Sequence, residues 1–392
     1  MKYVDEYRDG ALAQDIAAKI RAEAKSEREY HFMEFCGGHT HAIFRYGIPD
    51  LLPDNVKMIH GPGCPVCVLP ISRLDSAIEL AVTHEVILCS YGDMLRVPGS
   101  RKRSLLKAKA EGADVRMVYS CMDALRIAQD NPDREVVFFA IGFETTTPPT
   151  ALVIRQAQKL GLKNFSVFCN HVLTPAAISN ILESPEVREL GVLPLDGFVG
   201  PAHVSTVIGS QPYYYFAEEY QKPVVIAGFE PLDVLQAILM LVRQINEGRA
   251  EVENEFSRAV TYDGNPQAKS VVADTFELRR SFEWRGLGTV PYSALRIKSE
   301  FAEFDAEKRF TVEYRSAREN KACECGAILR GVKSPRDCTL FGDPCTPENP
   351  LGSCMVSSEG ACAAYYSYGR YQERSHSINS NTIASDKTHP AA

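Results

Sequence analysis

The chain has 392 residues, 45% of them hydrophobic, with twelve cysteines and a formal net charge of −7. That length supports two or three domains with real cores, and the acidic balance argues against nucleic acid as the main partner. No run of about 18 apolar residues is present to span a membrane, and the start, Met1-Lys2-Tyr3-Val4-Asp5-Glu6, lacks the apolar core of a signal peptide. A cytoplasmic location is therefore expected. Twelve cysteines in a reducing compartment point to metal or redox work rather than to a disulfide framework.

Residues 8–25 carry Ala11, Leu12, Ile16 and Ile20 at helical spacing. The apolar run from His31 to Phe35 then leads into Cys36-Gly37-Gly38-His39-Thr40-His41. This reads as a buried strand, a glycine turn and a helix start, with a thiol and two imidazoles at the strand's C-terminal end, where ligands gather in open α/β sheets. The two glycines would let the backbone approach a bound group closely. Cys with His suits iron, zinc or copper, or a nucleophile beside a base. A second extended stretch, Val56–His60, runs into Gly61-Pro62-Gly63-Cys64-Pro65-Val66-Cys67. This CxxC is a redox pair or half of a metal site.

Further strands come at 85–90, 115–119 and 135–141, and residues 101–111 form a basic, solvated helix. Cys89 and Cys121 are single and read as core thiols. Gly142-Phe143-Glu144 follows one strand, and Gly228-Phe229-Glu230 follows another at 222–227. We read this as a weak internal repeat of two α/β lobes. Alternating strands and helices imply parallel sheets, and polar strand ends facing each other imply a cleft. Glu144 is there to orient a metal-bound group, to act as acid or base, or to cap the next helix. His203, in Pro201-Ala202-His203, reads as a satisfied loop histidine.

The expected fold is therefore α/β, with two similar parallel-sheet lobes facing a cleft and a cysteine-rich iron–sulfur domain. Lobe I spans 28–142 and lobe II 143–248. Residues 1–27 and 249–370 form the third domain, and 371–392 a disordered tail. Between 323 and 362 lie six cysteines, Cys323, Cys325, Cys338, Cys345, Cys354 and Cys362, in a stretch too rich in Gly and Pro to build much core. Six thiols can hold one four-cysteine site and a spare pair. A [4Fe–4S] cluster takes four thiolates, as does structural zinc. The wide spacing obtained by choosing Cys323, Cys338, Cys345 and Cys362 leans to iron–sulfur.

Five motifs in this order resemble the HypD family of hydrogenase maturation proteins: Cys36–His41, Gly61–Cys67, Gly142–Pro148, Pro201–Gly209 and the Cys323/Cys338/Cys345/Cys362 series. The resemblance covers roughly residues 5–370. It implies a redox-active assembly scaffold, rather than a conventional turnover enzyme, that acts with the small chaperone HypC. The Fe(CN)2CO group of [NiFe]-hydrogenase is built on that scaffold, with cyanide coming from a thiocyanate on HypE. It further implies that Cys36 ligates the iron, that His39 assists there, and that Cys64 and Cys67 form a thiol pair. Cys323, Cys338, Cys345 and Cys362 would hold [4Fe–4S], leaving Cys325 and Cys354 as a pair similar to the redox disulfide of ferredoxin–thioredoxin reductase. Two other readings stand beside this one: an iron–sulfur thiol–disulfide oxidoreductase acting on a protein partner, and a zinc-stapled binding module. No P-loop is present to suggest an ATPase.

Overall fold

The computed structural model describes residues 5–183, 185, 189, 194–312, 314 and 322–369. Nine strands form two parallel sheets: β1 Tyr30–Glu34, β2 Val56–His60, β3 Ile87–Ser90, β4 Val115–Met117, β5 Val136–Gly142, β6 Phe165–His171, β7 Gly197–Pro201, β8 Val224–Ala227 and β9 Val252–Asn254. One sheet has the order β2-β1-β7-β8-β9 and the other β4-β3-β5-β6. β3, β5, β6 and β8 are buried along their whole length. Their near-continuous apolar runs are those of parallel strands covered on both faces. The two Gly-Phe-Glu triplets follow β5 and β8, one in each sheet.

The two lobes are thus present, but they do not divide at 142/143. β1 pairs with β7, with Phe32 opposite Gly197, so the first sheet joins residues 30–60 to 197–254. β5 pairs with β6, with Gly142 opposite His171, straight across the expected boundary. Each parallel pair needs a crossover, and the strand–helix alternation is the same whether that crossover returns to its own sheet or enters the next. The N-terminal helix Gly10–Glu23 also belongs with the first lobe rather than with a third domain. It packs on the helix Pro231–Glu247, and Arg243 binds Glu23 at 2.7 and 2.8 Å. Residues 252–254 of the expected third domain supply β9 to that lobe.

Beyond β9 the pairings are small. β10 Phe276–Leu278 pairs with β13 Leu295–Ile297, and β11 Ser281–Trp284 with β12 Gly288–Pro291. The cysteine-rich segment contains only short helical turns, the longest being Cys325–Leu329 and Tyr365–Gly369 at five residues each. It holds its place by packing into a core shared with both lobes. Met33, Phe198, Val66, Leu88, Phe139, Trp284, Cys325, Cys354 and Met355 belong to one continuous apolar cluster. Of the expected tail, residues 371–392 lie outside the described residues.

Candidate functional site

Cys36 stands two residues beyond β1, as the N-cap of the helix Gly37–Arg45, and its sulfur accepts a hydrogen bond from the Gly38 N–H at 3.3 Å. A thiol in this position sees the positive end of the helix. Glu34, the last residue of β1, is fully buried. Its Oε2 accepts from the Cys36 N–H at 2.8 Å, and its Oε1 accepts from the Thr40 hydroxyl and pairs with His60 Nδ1 at 2.9 Å. The strand end, the helix start and the neighbouring β2 are thereby tied to one carboxylate. A missed signal lies here: an acid inside an apolar strand, His-Phe-Met-Glu-Phe, must have partners to be buried.

The imidazole set against the Cys36 sulfur is His203, whose Nδ1 lies 3.4 Å away. This corrects the reading of His203 as a satisfied loop residue. β7 lies next to β1, so His203, two residues past the end of β7, emerges beside Cys36, two residues past the end of β1. His39 turns its Nε2 elsewhere, to the carbonyls of Ala227 and Gly228 at 3.1 and 2.9 Å, while its buried Nδ1 has no hydrogen-bond partner. The Phe229 ring packs against both His39 and His203. Burial lowers the His203 pKa to about 4. Burial, followed by the charges of Glu359 and Glu34, pushes the Cys36 thiol well above its ordinary value. The pair is held neutral, as thiol and imidazole, and a cation is what would draw out the thiolate.

The two glycines after Cys36 make room for protein rather than for a ligand. A Cβ on Gly38 would lie 2.9 Å from the Phe229 ring, and one on Gly37 would lie 2.3 Å from Glu359 Cβ. Glu359 comes from the cysteine-rich segment, where the Ser358 carbonyl also meets His41 Nδ1 at 3.3 Å. Cys36, His203 and Glu359 line a cavity of about 490 Å³, together with Asp93, Tyr119 and Thr146. This is the cleft between the carboxyl ends of the two sheets, the place where open α/β sheets receive ligands.

Cys64 and Cys67 form a disulfide, with Cα atoms 5.2 Å apart. Cys64 is the N-cap of the short helix Pro65–Val68, and both cysteines are buried. The disulfide lies directly behind Cys36. Gly37 donates to the Gly63 carbonyl at 3.1 Å, and a Cβ on Gly63 would fall 2.2 Å from the Cys36 nitrogen. On its other side the Ser353 hydroxyl donates to the Cys67 carbonyl at 3.0 Å, next to Cys354. The Arg285 N–H donates to the Val68 carbonyl at 2.8 Å, and Arg330 Nη1 to the Gly286 carbonyl at 2.6 Å. The turn at 284–287 thus joins the disulfide to the Cys325 helix.

In the cysteine-rich segment the Cys323 and Cys325 sulfurs lie 3.3 Å apart. A Cβ on Gly352 would fall 2.5 and 2.6 Å from these two sulfurs. Cys362 hydrogen-bonds with Cys325 and feels Cys354, which raises its pKa. Cys345 accepts from the Leu351 N–H at 3.3 Å. Cys338 is buried as well. Cys323 of one expected set, Cys323/Cys338/Cys345/Cys362, thus touches Cys325 of the other, Cys325/Cys354. Among the described residues no three of these side chains already stand as a metal cage. The donor set, six thiols with a glycine close to two of the sulfurs and an N–H on a third, suits in kind a group that four thiolates hold, an iron–sulfur cluster or a zinc ion.

Glu144 lines no part of the cavity. Its carboxylate caps the helix Thr174–Glu183, accepting from Thr174 N and Oγ1 at 2.8 and 2.9 Å. The expected cap of the next helix, Thr147–Lys159, is not among its side-chain contacts; the carboxylate serves this later helix instead. Cys89 and Cys121 are core thiols, as expected, and so is Cys169.

The HypD family profile, described as "Hydrogenase formation hypA family", matches residues 11–369. The chain belongs to the HypD family. It is 74% identical to the hydrogenase maturation factor HypD of Azotobacter vinelandii over 95% of this chain and 98% of that one. It is 70% identical to the protein of that name from Cupriavidus necator, over 95% and 98%. The Escherichia coli K12 protein is 46% identical over 95% and 99%. Hydrogenase maturation is thus the role of the family to which this chain belongs. No described helix is long and apolar enough to cross a membrane.

Proposed function

We propose that the cleft is the assembly site of the hydrogenase iron group. Iron, the cargo, binds the Cys36 thiolate and receives cyanide and CO there, with a HypC-type chaperone supplying a further thiolate. The observation that carries this reading is the Cys36–His203 pair at the mouth of a cavity with a disulfide at its back. Soft thiolate suits low-spin iron with such ligands. His203, Glu34 and Glu359 position and shield the sulfur.

Cyanide comes from the thiocyanate of a HypE-type donor. Two electrons cleave the S–C bond, giving a thiolate and cyanide. The Cys64/Cys67 dithiol supplies both, releasing two protons and becoming the disulfide seen here. A cluster bound by Cys323, Cys338, Cys345 and Cys362 supplies single electrons when present. The Cys325/Cys354 pair and Ser353 link that region to Cys67. A plain disulfide reductase would not need the Cys36 cavity, which favours the scaffold over that alternative. The work belongs to the cytoplasm.

Anaerobic co-expression with the chaperone, then infrared spectroscopy, tests the reading. Bands of metal-bound CO and cyanide, lost in Cys36→Ala, are the expected result. A brown protein without such bands would shift the assignment to a thiol reductase. Cys64→Ala should leave the visible spectrum intact and abolish maturation; continued maturation would remove the dithiol from the scheme.

A further inference from the structure

Residues 96–109 hold Arg96, Arg101, Lys102, Arg103, Lys107 and Lys109 and no acid, in a chain of net charge −7. The expected basic helix over 101–111 is shorter in the structure. Only Leu105–Ala110 is helical, and it is preceded by a turn in which Arg101 and Lys102 take positive φ. That turn is fastened by Ser100 N–H on Asp75 at 2.9 Å, and it presents Arg101 and Lys102 to solvent. Leu106, 49% exposed, lies among the cations. Opposite stands Glu348–Leu351 of the cysteine-rich segment, and between the two walls is a cavity of about 500 Å³. The acids in reach are Asp75, Glu111 and Glu348. Asp75 is engaged by the turn, and Glu111 by Arg103 at 2.8 Å. The patch keeps a clear positive excess.

We propose that this patch docks a small acidic one-electron carrier protein. Three observations select that occupant. The charge is complementary to an acidic face and opposite to the chain's own balance, which speeds and orients encounter. Ile71, Pro98, Pro350 and Leu351 line the cavity together with Arg96, Arg101, Lys102 and Lys107, a mixture of apolar and cationic groups that suits a protein contact. Residues 96–110 contain no aromatic ring on which a nucleic-acid base could stack. The position then chooses an electron carrier among acidic proteins. Leu351, in the cavity wall, donates its N–H to the Cys345 sulfur at 3.3 Å, so the partner would sit against the thiol-rich segment. Two encounters oxidise two carriers by one electron each and, with two protons, return one disulfide to two thiols. The inference rests on the redox reading of that segment.

The test is anaerobic titration calorimetry with a reduced plant-type [2Fe–2S] ferredoxin as the acidic probe, at low and high salt. Binding should weaken roughly tenfold or more on raising the salt. It should weaken by about as much in Arg101→Glu/Lys102→Glu and, as a second variant on the helix, in Lys107→Glu/Lys109→Glu. Lys163→Glu, on another exposed face in a pair with Glu303, should bind unchanged. No binding, binding insensitive to both double variants with melting curves intact, or preferential binding of an RNA oligonucleotide would overturn the proposal. Visible absorbance reads the cluster independently. A brown chain that ignores the ferredoxin overturns the docking surface alone. A colourless chain that binds it through this patch keeps the surface and overturns the redox reading.

Discussion

His203 Nδ1 lies 3.4 Å from the Cys36 sulfur, across 167 residues of sequence. Two neighbouring strands end side by side, and the residues that open the helices after them meet. Replacing His203 with Ala should leave the fold intact, since the ring faces a cavity. Iron retained after co-expression should fall by about tenfold or more, as when a ligand loses its supporting neighbour. Because the His203 pKa is held near 4, that loss should be flat between about pH 5 and 8. Iron content and infrared band intensity across pH would check both points.

Glu34 serves three donors from a fully buried position. Glu34→Ala strands the His60 ring, the Thr40 hydroxyl and the Cys36 N–H together. A loss of about 3–5 kcal/mol is expected, as when one partner of a buried pair is removed. Glu34→Gln keeps the shape and should lose less. Urea unfolding of both variants would measure the difference; equal losses would mean that packing, not charge, holds the strand end.

Gly63→Ala has no space for its methyl group against the Cys36 backbone. We expect a loss of about 2–3 kcal/mol and faster alkylation of Cys36. Gly10→Ala is the control. Its Cβ would meet nothing within 4 Å at the start of a helix, and it should raise stability by about 0.5 kcal/mol. Paired urea curves and thiol labelling separate the two cases.

Burial raises the Glu144 pKa from 4.5 to about 7. The folded state therefore holds a proton that the unfolded chain gives up. The stability this contributes is whole below the unfolded value and is lost as pH rises through about 7. Stability of the natural chain should decline over that window relative to Glu144→Gln, by about 3 kcal/mol in all. Denaturation at several pH values decides it; parallel curves would show Glu144 ionised throughout.

The strand ends bearing Cys36, Cys64 and Cys67 were legible because buried strands and thiol motifs are both local patterns. The Gly-Phe-Glu repeat also marked one strand in each sheet. Sheet membership was not legible, because it depends on where a crossover lands. His203 was missed for the same reason, since its value comes from β7 lying beside β1. Glu144 had a local reading as the cap of the next helix, but its partner Thr174 lies thirty residues on, at the start of a later helix. The glycines of the Cys36 turn suggested a close ligand. Phe229 and Glu359, distant in sequence, occupy that space.

The interleaving of the two sheets also sets an order in time. A nascent chain translated through β6 contains Cys36, Cys64 and Cys67 and a complete four-stranded sheet. It lacks β7, on which β1 leans, and the imidazole and carboxylate that enclose the thiol. Long-range parallel pairing of this kind is slow, and it leaves edges open while it waits. The enclosed thiol therefore forms late, because its last wall, Glu359, is made more than three hundred residues after Cys36.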